Sequence, residues 1–434
     1  MKNNNTHIMI IIYALVICML TSNVFMINTS DFYRSVFPFI GEINTFDGNL
    51  TLNYELKKDF LSVFSYDYIS SYSYILYIYA YIISFFTNYL DLRLLSSILK
   101  IIFIITLYSL FRNITKENGA KFLAIFFIIA LPMLSTSNLA FFSSFYQEQI
   151  VIIALPIVSL FISGNNKKDI LITFIAATLI ACSKSQFFYL PLIIAIAYGI
   201  FNRDMFKFKI LLTVLSMSLS LMCIWGSSGA AAFNKYHANY FGIYEYAKIN
   251  NIEIEQNVDQ KCIGVDAWGN KFNLEHGAIQ TTLGGDCFGR NTSAGFVDVI
   301  RWVAKNPSII YNLPVDAGIK TQYTENYFHV FNGIKLIQGN TGALSYLTEV
   351  KDYLFKDLRF VILFITMLLS IIFIRKKLSI LLFTVCSFGT SQLYVSFFGE
   401  GYRDLDKHLF GMNFAFDLTI FIVMCLLVRL KFKK

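Results

Sequence analysis

The sequence has few charged residues: Asp, Glu, Lys and Arg make up 15% of its 434 residues. A soluble globular protein carries roughly 25%. Hydrophobic residues make up 56% of the chain, and the mean hydropathy is +0.56. The scarcity of charge excludes an ordinary soluble protein and predicts a polytopic membrane protein.

Familiar signatures of soluble enzymes are also missing. The sequence contains no P-loop, no HExxH, no nucleophile elbow and no CxxC. Three histidines of its long polar segment, His237, His276 and His329, are too far apart in sequence to predict a metal site. We therefore expect no obligatory cofactor, and a divalent metal held by carboxylates stays open as an alternative.

The net charge is +8, and many of the basic residues lie in short groups at the ends of apolar runs. Such groups mark the cytoplasmic ends of membrane helices. No basic stripe with interleaved aromatic residues lies outside the apolar runs, so nucleic acid is not an expected partner. The groups are 167–168, 203–209, 375–377 and 431–434.

Eleven apolar segments are long enough, or nearly so, to cross a bilayer, which takes about 20 helical residues. The first, 8–26, lacks a cleavage site and is predicted to be a retained helix with its N-terminus inside. Both termini inside require an even number of crossings, and the tyrosine-rich segment 72–90 is the best candidate for an interfacial or re-entrant piece. The other segments are 92–111, 120–138, 149–163, 169–183, 186–202, 210–226, 358–374, 378–397 and 412–430.

Hydrophobicity stops for about 130 residues in the segment 227–357. The expected architecture is an all-α membrane bundle of about 10–11 segments with one mixed extracytoplasmic insert. Its parts are an N-terminal bundle, 1–226, with a first outer loop at 28–71, the insert, 227–357, and C-terminal helices, 358–434. The insert holds Cys262 and Cys287, which either form a disulfide, if it faces an oxidising compartment, or stay as two thiols.

Candidate catalytic carboxylates lie in the predicted outer loops. Asp31 follows the first helix by a few residues and could act as a general base beside a lipid headgroup. Glu148 opens an apolar span, where it either caps the helix through the macrodipole or lines a cavity shared with Asp31. For each residue, a solvated or capping role is the simpler alternative.

Candidate phosphate-binding residues lie on the same predicted face. Lys184 sits between two short apolar runs, where a lysine either snorkels or meets an anion. In the last outer loop, Arg403 could bind a phosphate, and Lys407 would share its face if the segment is helical. His408 adds a titratable group to this loop. In the insert, Trp268 could stack on a sugar ring of an acceptor, although aromatic residues are more often core.

Three places in the sequence resemble the GT-C superfamily of polytopic glycosyltransferases. They are an outer loop with Asp31 after the first helix, the segment 90–99 with Arg93-Leu94-Leu95-Ser96, and the combined segments 142–148, 183–186 and 399–409. In size and layout the chain also looks like the serotype-converting glucosyltransferases that modify O-antigen in the periplasm. The likeness covers the membrane bundle and not the insert.

The resemblance implies transfer of a hexose, with glucose expected, from an undecaprenyl-phosphate carrier to an O-antigen or other envelope glycan. The protein would lie in the lipid bilayer of the bacterial inner membrane. The reaction would be one inverting displacement on the periplasmic side. Asp31 and Glu148 would be the catalytic carboxylates, and Lys184, Arg403, Lys407 and His408 would bind the lipid phosphate. The alternatives are an O-antigen polymerase or ligase, a flippase for lipid-linked sugars, and a membrane scaffold.

Overall fold

The protein is described by a computed structural model covering residues 2–27, 34–40, 52–57, 68–227, 231–329, 333–339, 342–373 and 377–432. Helices dominate the described residues. The helices of the first part of the chain are α1 (Lys2–Leu20), α2 (Ser71–Ser84), α3 (Leu92–Thr115), α4 (Ala120–Ile129), α5 (Thr136–Leu139), α6 (Gln149–Phe161), α7 (Lys167–Ala181), α8 (Leu190–Phe201) and α9 (Phe206–Trp225).

The segment between α9 and the last membrane helices is built from short elements. A π-helical turn, His237–Ile243, joins its first two helices. The helices are α10 (Ala231–Tyr236), α11 (Tyr244–Ile249), α12 (Asp286–Arg290), α13 (Phe296–Lys305), α14 (Ile309–Asn312), α15 (Ala317–Thr321) and α16 (Ala343–Phe355). The chain then continues through α17 (Arg359–Ile372), α18 (Lys377–Glu400), α19 (Leu405–His408) and α20 (Phe410–Phe432).

Eight short strands form four antiparallel pairs among the described residues. Two pairs are local hairpins, and two join parts of the chain that are farther apart in sequence. The pairs are β1 (Phe25–Met26) with β8 (Ile337–Gln338), β2 (Asn53–Glu55) with β3 (Tyr89–Asp91), β4 (Asn270–Asn273) with β5 (Gly277–Gln280), and β6 (Phe328–His329) with β7 (Ile334–Lys335).

Four helices of the described chain are long and apolar enough to cross a membrane: α3, α9, α18 from Leu378, and α20. Each coincides with a predicted span. The ends of α3 are set by local chemistry. The Asp91 carboxylate accepts a hydrogen bond from the amide of Arg93 at 2.7 Å, and Lys116 ends the helix in a left-handed conformation. Shorter apolar helices coincide with most of the other predicted spans.

Several predicted spans contain a helix that is shorter than the span. The helix expected over 120–138 stops at Ile129, because Pro132 lacks an amide hydrogen and its ring would clash with the preceding turn. In 72–90, α2 has 14 residues and is therefore about 21 Å long, short of a hydrocarbon core of about 30 Å. Strand β3 then follows. Helix α17 has the same length of 14 residues, so the interfacial or re-entrant course of 72–90 stays a prediction.

The short-element region packs directly on the membrane helices. A buried apolar cluster joins Phe241, Ile319 and Trp302 to Phe397 of α18 and Phe416 of α20. At this junction, Gly401 has φ of 70°, and a Cβ there would lie 2.4 Å from the carbonyl oxygen of Phe241. Only glycine fits this contact, which holds the π-helical turn against the end of α18.

Candidate functional site

Asp31, the predicted general base, lies outside the described residues. The described chain before it ends at Ile27. The phenol of Tyr146 donates a hydrogen bond to the carbonyl of Ile27 at 2.9 Å, so the chain just before Asp31 lies beside the segment that leads into α6.

Five side chains from four segments meet at one end of the membrane helices. We call them the rim cluster: Glu148, Lys184, Gln186, Glu400 and His408. The Lys184 ammonium lies 2.9 Å from a carboxylate oxygen of Glu148 and 3.5 Å from Nδ1 of His408. The structure thus brings together three residues predicted separately from the sequence.

His408 extends the cluster toward solvent. Its Nε2 lies 2.8 Å from the Glu400 carboxylate, whose side chain is 24% exposed, whereas Lys184 and Glu148 are buried. When Nε2 donates a hydrogen bond to Glu400, Nδ1 is unprotonated and can accept a hydrogen bond from Lys184. Gln186 holds the backbone, since its amide donates to the carbonyl of His408 at 3.2 Å. The arrangement is a buried cation flanked by an acid and an imidazole, with one edge reaching water.

Local structure positions each of these groups. Glu148 immediately precedes α6, Lys184 lies in the turn after α7, Glu400 is the last residue of α18, and His408 ends α19. Every position is a helix end, where the chain leaves the apolar environment and a charged side chain costs least.

Lys407 lies next to the rim cluster. Its ammonium is 5.4 Å from the centre of the Tyr146 ring. The preceding residue, Asp406, accepts hydrogen bonds from the amides of Phe328 at 2.9 Å and of Lys407 at 2.7 Å. Burial raises the pKa of Asp406 to about 7, against the opposing effect of these hydrogen bonds.

Arg403 lies apart from Lys407. Asp404 has a positive φ of 42°, and α19 begins only at Leu405, so the helical condition for a shared face is not met. The Arg403 guanidinium forms an ion pair with buried Asp266 and lies 4.2 Å from the centre of the Trp268 ring. The structure therefore groups Arg403 with the predicted acceptor contact, not with Lys184.

Trp268 is 47% exposed, and its ring stacks on Phe233 with 5.1 Å between centroids. Behind it, Nε2 of buried His237 accepts a hydrogen bond from the amide of Ala267 at 3.0 Å. Burial lowers the pKa of His237 to about 3, and the charge of Arg403 adds to the effect. His237 is thus a neutral structural support for the loop that carries Trp268.

A second buried charge cluster was missed by the sequence analysis. We call Glu325, Lys351, Asp352, Arg359 and Asp417 the closed cluster. Lys351 pairs with Glu325 at 2.7 Å and also with Asp417. Arg359 pairs with Glu325 at 2.8 Å and with Asp352 at 2.7 Å. One signal could have indicated it: Asp417 is an acid inside an apolar span, and such residues generally have a partner.

The chain matches the family model described as YfdI N-terminal transmembrane domain over residues 8–434. The chain belongs to the YfdI family. It is 45% identical to a protein of Escherichia coli (strain K12) described as uncharacterized protein YfdI, over 416 residues that cover 96% of this chain and 94% of the relative. No solved structure matches the chain.

Family membership and the apolar helices confirm the prediction of a multi-pass, mostly helical membrane protein. The rim cluster lies at the ends of those helices, and α20 places Asp417 of the closed cluster within a candidate span. Both clusters are therefore charges that the membrane fold has to neutralise internally.

Cys262 and Cys287 are joined by a disulfide, with Cα atoms 5.4 Å apart. The bond lies in a small apolar cluster with Tyr236, Ile263 and Val265. Among the described residues, no group of three or more His, Cys, Asp and Glu side chains is arranged to hold a metal ion.

Proposed function

We propose that this protein is a GT-C-type glycosyltransferase. In this proposal it moves a hexose, with glucose expected, from undecaprenyl phosphate to an O-antigen or other envelope glycan at the periplasmic face of the bacterial inner membrane. The observation that carries the proposal is the rim cluster. Lys184, Glu148 and His408 meet at the ends of membrane helices, where the headgroup of a membrane-embedded donor would lie.

A buried lysine beside an imidazole suits a phosphate leaving group. The acceptor oxygen would form a bond to the anomeric carbon while the bond from that carbon to the phosphate oxygen breaks. The electron pair of that bond leaves with the lipid phosphate, and one displacement inverts the anomeric centre. Lys184, His408 and nearby Lys407 would stabilise the charge that grows on the phosphate.

The acceptor's proton has to reach a carboxylate. In this mechanism Asp31 takes it as general base. Glu148 is paired with Lys184, so its role would be to hold the ammonium toward the phosphate and to share the acceptor's proton. Trp268 of the short-element region would contact the acceptor glycan, together with Arg403, whose guanidinium lies against the Trp268 ring.

The proposal is tested by incubating purified protein in nanodiscs with a radiolabelled polyprenyl-phosphate hexose and an envelope glycan. We expect product with the wild-type protein and a loss of about 100-fold or more in Lys184→Met and Asp31→Asn. Arg301→Gln, which removes an exposed charge, is the matched control and should keep full activity.

Size-exclusion profiles show whether each variant is folded. A folded Lys184→Met protein that transfers sugar at the wild-type rate would exclude the rim cluster as the active site. Movement of the labelled donor across vesicles without transfer would instead support a flippase.

A further inference from the structure

A groove of about 480 Å³ lies between α1 and α3, far from the rim cluster. Its walls combine two kinds of side chain. Ile11 and Ile105 supply aliphatic surface, and His7, Arg112 and Lys116 supply the basic side. The volume is within the range of small-molecule sites in proteins, roughly 300–1,000 Å³.

The two helices run antiparallel, which fixes where the groove lies. At one end, the Lys100 ammonium donates to the Thr21 hydroxyl at 2.8 Å, and Cys18 contacts the carbonyl of Ser97. At the other end, His7 lies beside the last turn of α3. The groove is therefore at the N-terminal end of α1 and the C-terminal end of α3.

The rim cluster belongs to the opposite end of α3. Near the start of that helix, the Ser96 hydroxyl lies 2.9 Å from the hydroxyl of Ser143, in the segment leading to Glu148. With 24 residues, α3 is about 36 Å long, enough to cross a bilayer. The groove is thus at the membrane face that the basic groups predict to be cytoplasmic.

The charge of the groove is of one sign. None of the described residues that line it carries a carboxylate, and its polar side also contains the amide of Asn113. Lys116 donates to the Asn113 side-chain oxygen at 2.8 Å, which places the ammonium over the groove's polar edge. The C-terminal end of a helix dipole attracts cations, so the side chains alone must provide any affinity for an anion.

We propose that this groove binds a phosphate group, with Arg112 and Lys116 as the charged partners. The guanidinium of an arginine matches phosphate oxygens in a two-pronged geometry, and basic pockets between membrane helices suit anionic headgroups. The exposed Ile11 and Ile105 continue the groove with surface for an acyl chain, which favours the phosphate of an anionic phospholipid over a soluble phosphate.

The full-length protein in detergent provides the test, with native mass spectrometry of retained phosphatidylglycerol or phosphatidylcholine. We expect preferential retention of phosphatidylglycerol, weakened roughly 30-fold in Arg112→Gln/Lys116→Gln. The matched control, Arg203→Gln/Lys207→Gln, removes two charges at another helix end of the same predicted face and should retain phosphatidylglycerol like the wild type.

A second variant separates the groove from its charge. Ile11→Trp fills the groove and keeps both cations, and it should also lose phosphatidylglycerol. In a parallel arm, inorganic phosphate is added to the wild-type protein that retains phosphatidylglycerol; displacement of the lipid at low millimolar concentration would support a phosphate site and show that it also accepts soluble phosphate. Equal retention of both lipids by the wild type, without such displacement, or equal loss in the control variant, would overturn the proposal.

Discussion

The two charge clusters differ in how far their side chains are exposed to water. In the closed cluster, Lys351 and Arg359 each bridge two acids, and the Arg359 side chain is 0% exposed. In the rim cluster, Lys184 contacts Glu148 and His408 among the described residues, and the Glu400 side chain is 24% exposed. A cluster of buried ion pairs stabilises the packing of the segments that it joins, whereas a cluster with an exposed edge is suited to a charged ligand.

The largest expected effect is the loss of Arg359. Arg359→Leu leaves Glu325 and Asp352 each without a partner that they have in the native protein, and an unpaired buried charge costs about 4 kcal/mol. We expect a steep loss of folded protein in size-exclusion profiles and in SDS titrations of mixed micelles. A variant with wild-type stability would contradict a closed, mutually dependent cluster.

A double-mutant cycle gives the next largest effect. Lys184→Met should destabilise by about 3 kcal/mol because it removes the ammonium that contacts the buried Glu148 carboxylate, and adding Glu148→Gln should restore most of that loss. The parallel pair Lys351→Met and Asp417→Asn should restore little, since Glu325 would still lack one of its two cations. SDS titration measures both cycles, and equal recovery would erase the distinction between the clusters.

The insert's dependence on pH should be smaller. Because the pKa of His237 is about 3 in the folded protein and 6.5 in the unfolded chain, its contribution is complete above pH 6.5 and is lost as the pH falls toward 3. At pH 5 the loss is about 2 kcal/mol. This loss is measured by comparing the protease resistance of the wild type and His237→Asn at pH 5 and above pH 6.5. The raised pKa of Asp406 has the opposite effect on stability as the pH falls. Because Asp406 is present in both proteins, its contribution cancels in the comparison.

The smallest expected effect is that of an exposed ion pair. Arg301 and Asp298 are 3.3 Å apart on the surface of α13, so Arg301→Gln should change the unfolding free energy by less than about 0.5 kcal/mol. The same titration measures it. A change as large as that of Arg359→Leu would mean that pairing, and not burial, governs these charges.

Hydropathy located the membrane helices from the sequence because burial in lipid imposes a length and a composition that can be read directly. It located the helix ends less well. Pro132 lies within 120–138 and indicates a helix break, but the continuous apolar run predicted one helix over the whole segment. Glu148, Lys184 and His408 were each selected because they stand at an apolar boundary. Their meeting depends on helix packing between positions up to 260 residues apart in sequence.

For the closed cluster, Asp417 was a signal in the sequence, but its partners could not be predicted. Glu325 and Asp352 look like ordinary acids of a polar segment, and they share a buried partner, Arg359, only because that segment packs against the start of α17. The same holds for Arg403: the sequence predicted a phosphate-binding residue, whereas the structure pairs it with Asp266, which lies 137 residues earlier. Ion pairs of this kind leave no local pattern in the sequence.

The pairing of β1 with β8 has a consequence for biosynthesis. Phe25 and Met26 leave the first helix, yet their strand partners are Gln338 and Ile337. Since the chain emerges from the ribosome N-terminus first, β1 cannot pair with β8 until more than 300 further residues have been made. The segment after α1 therefore stays incomplete during most of translation, and the start of the protein is among the last parts to mature.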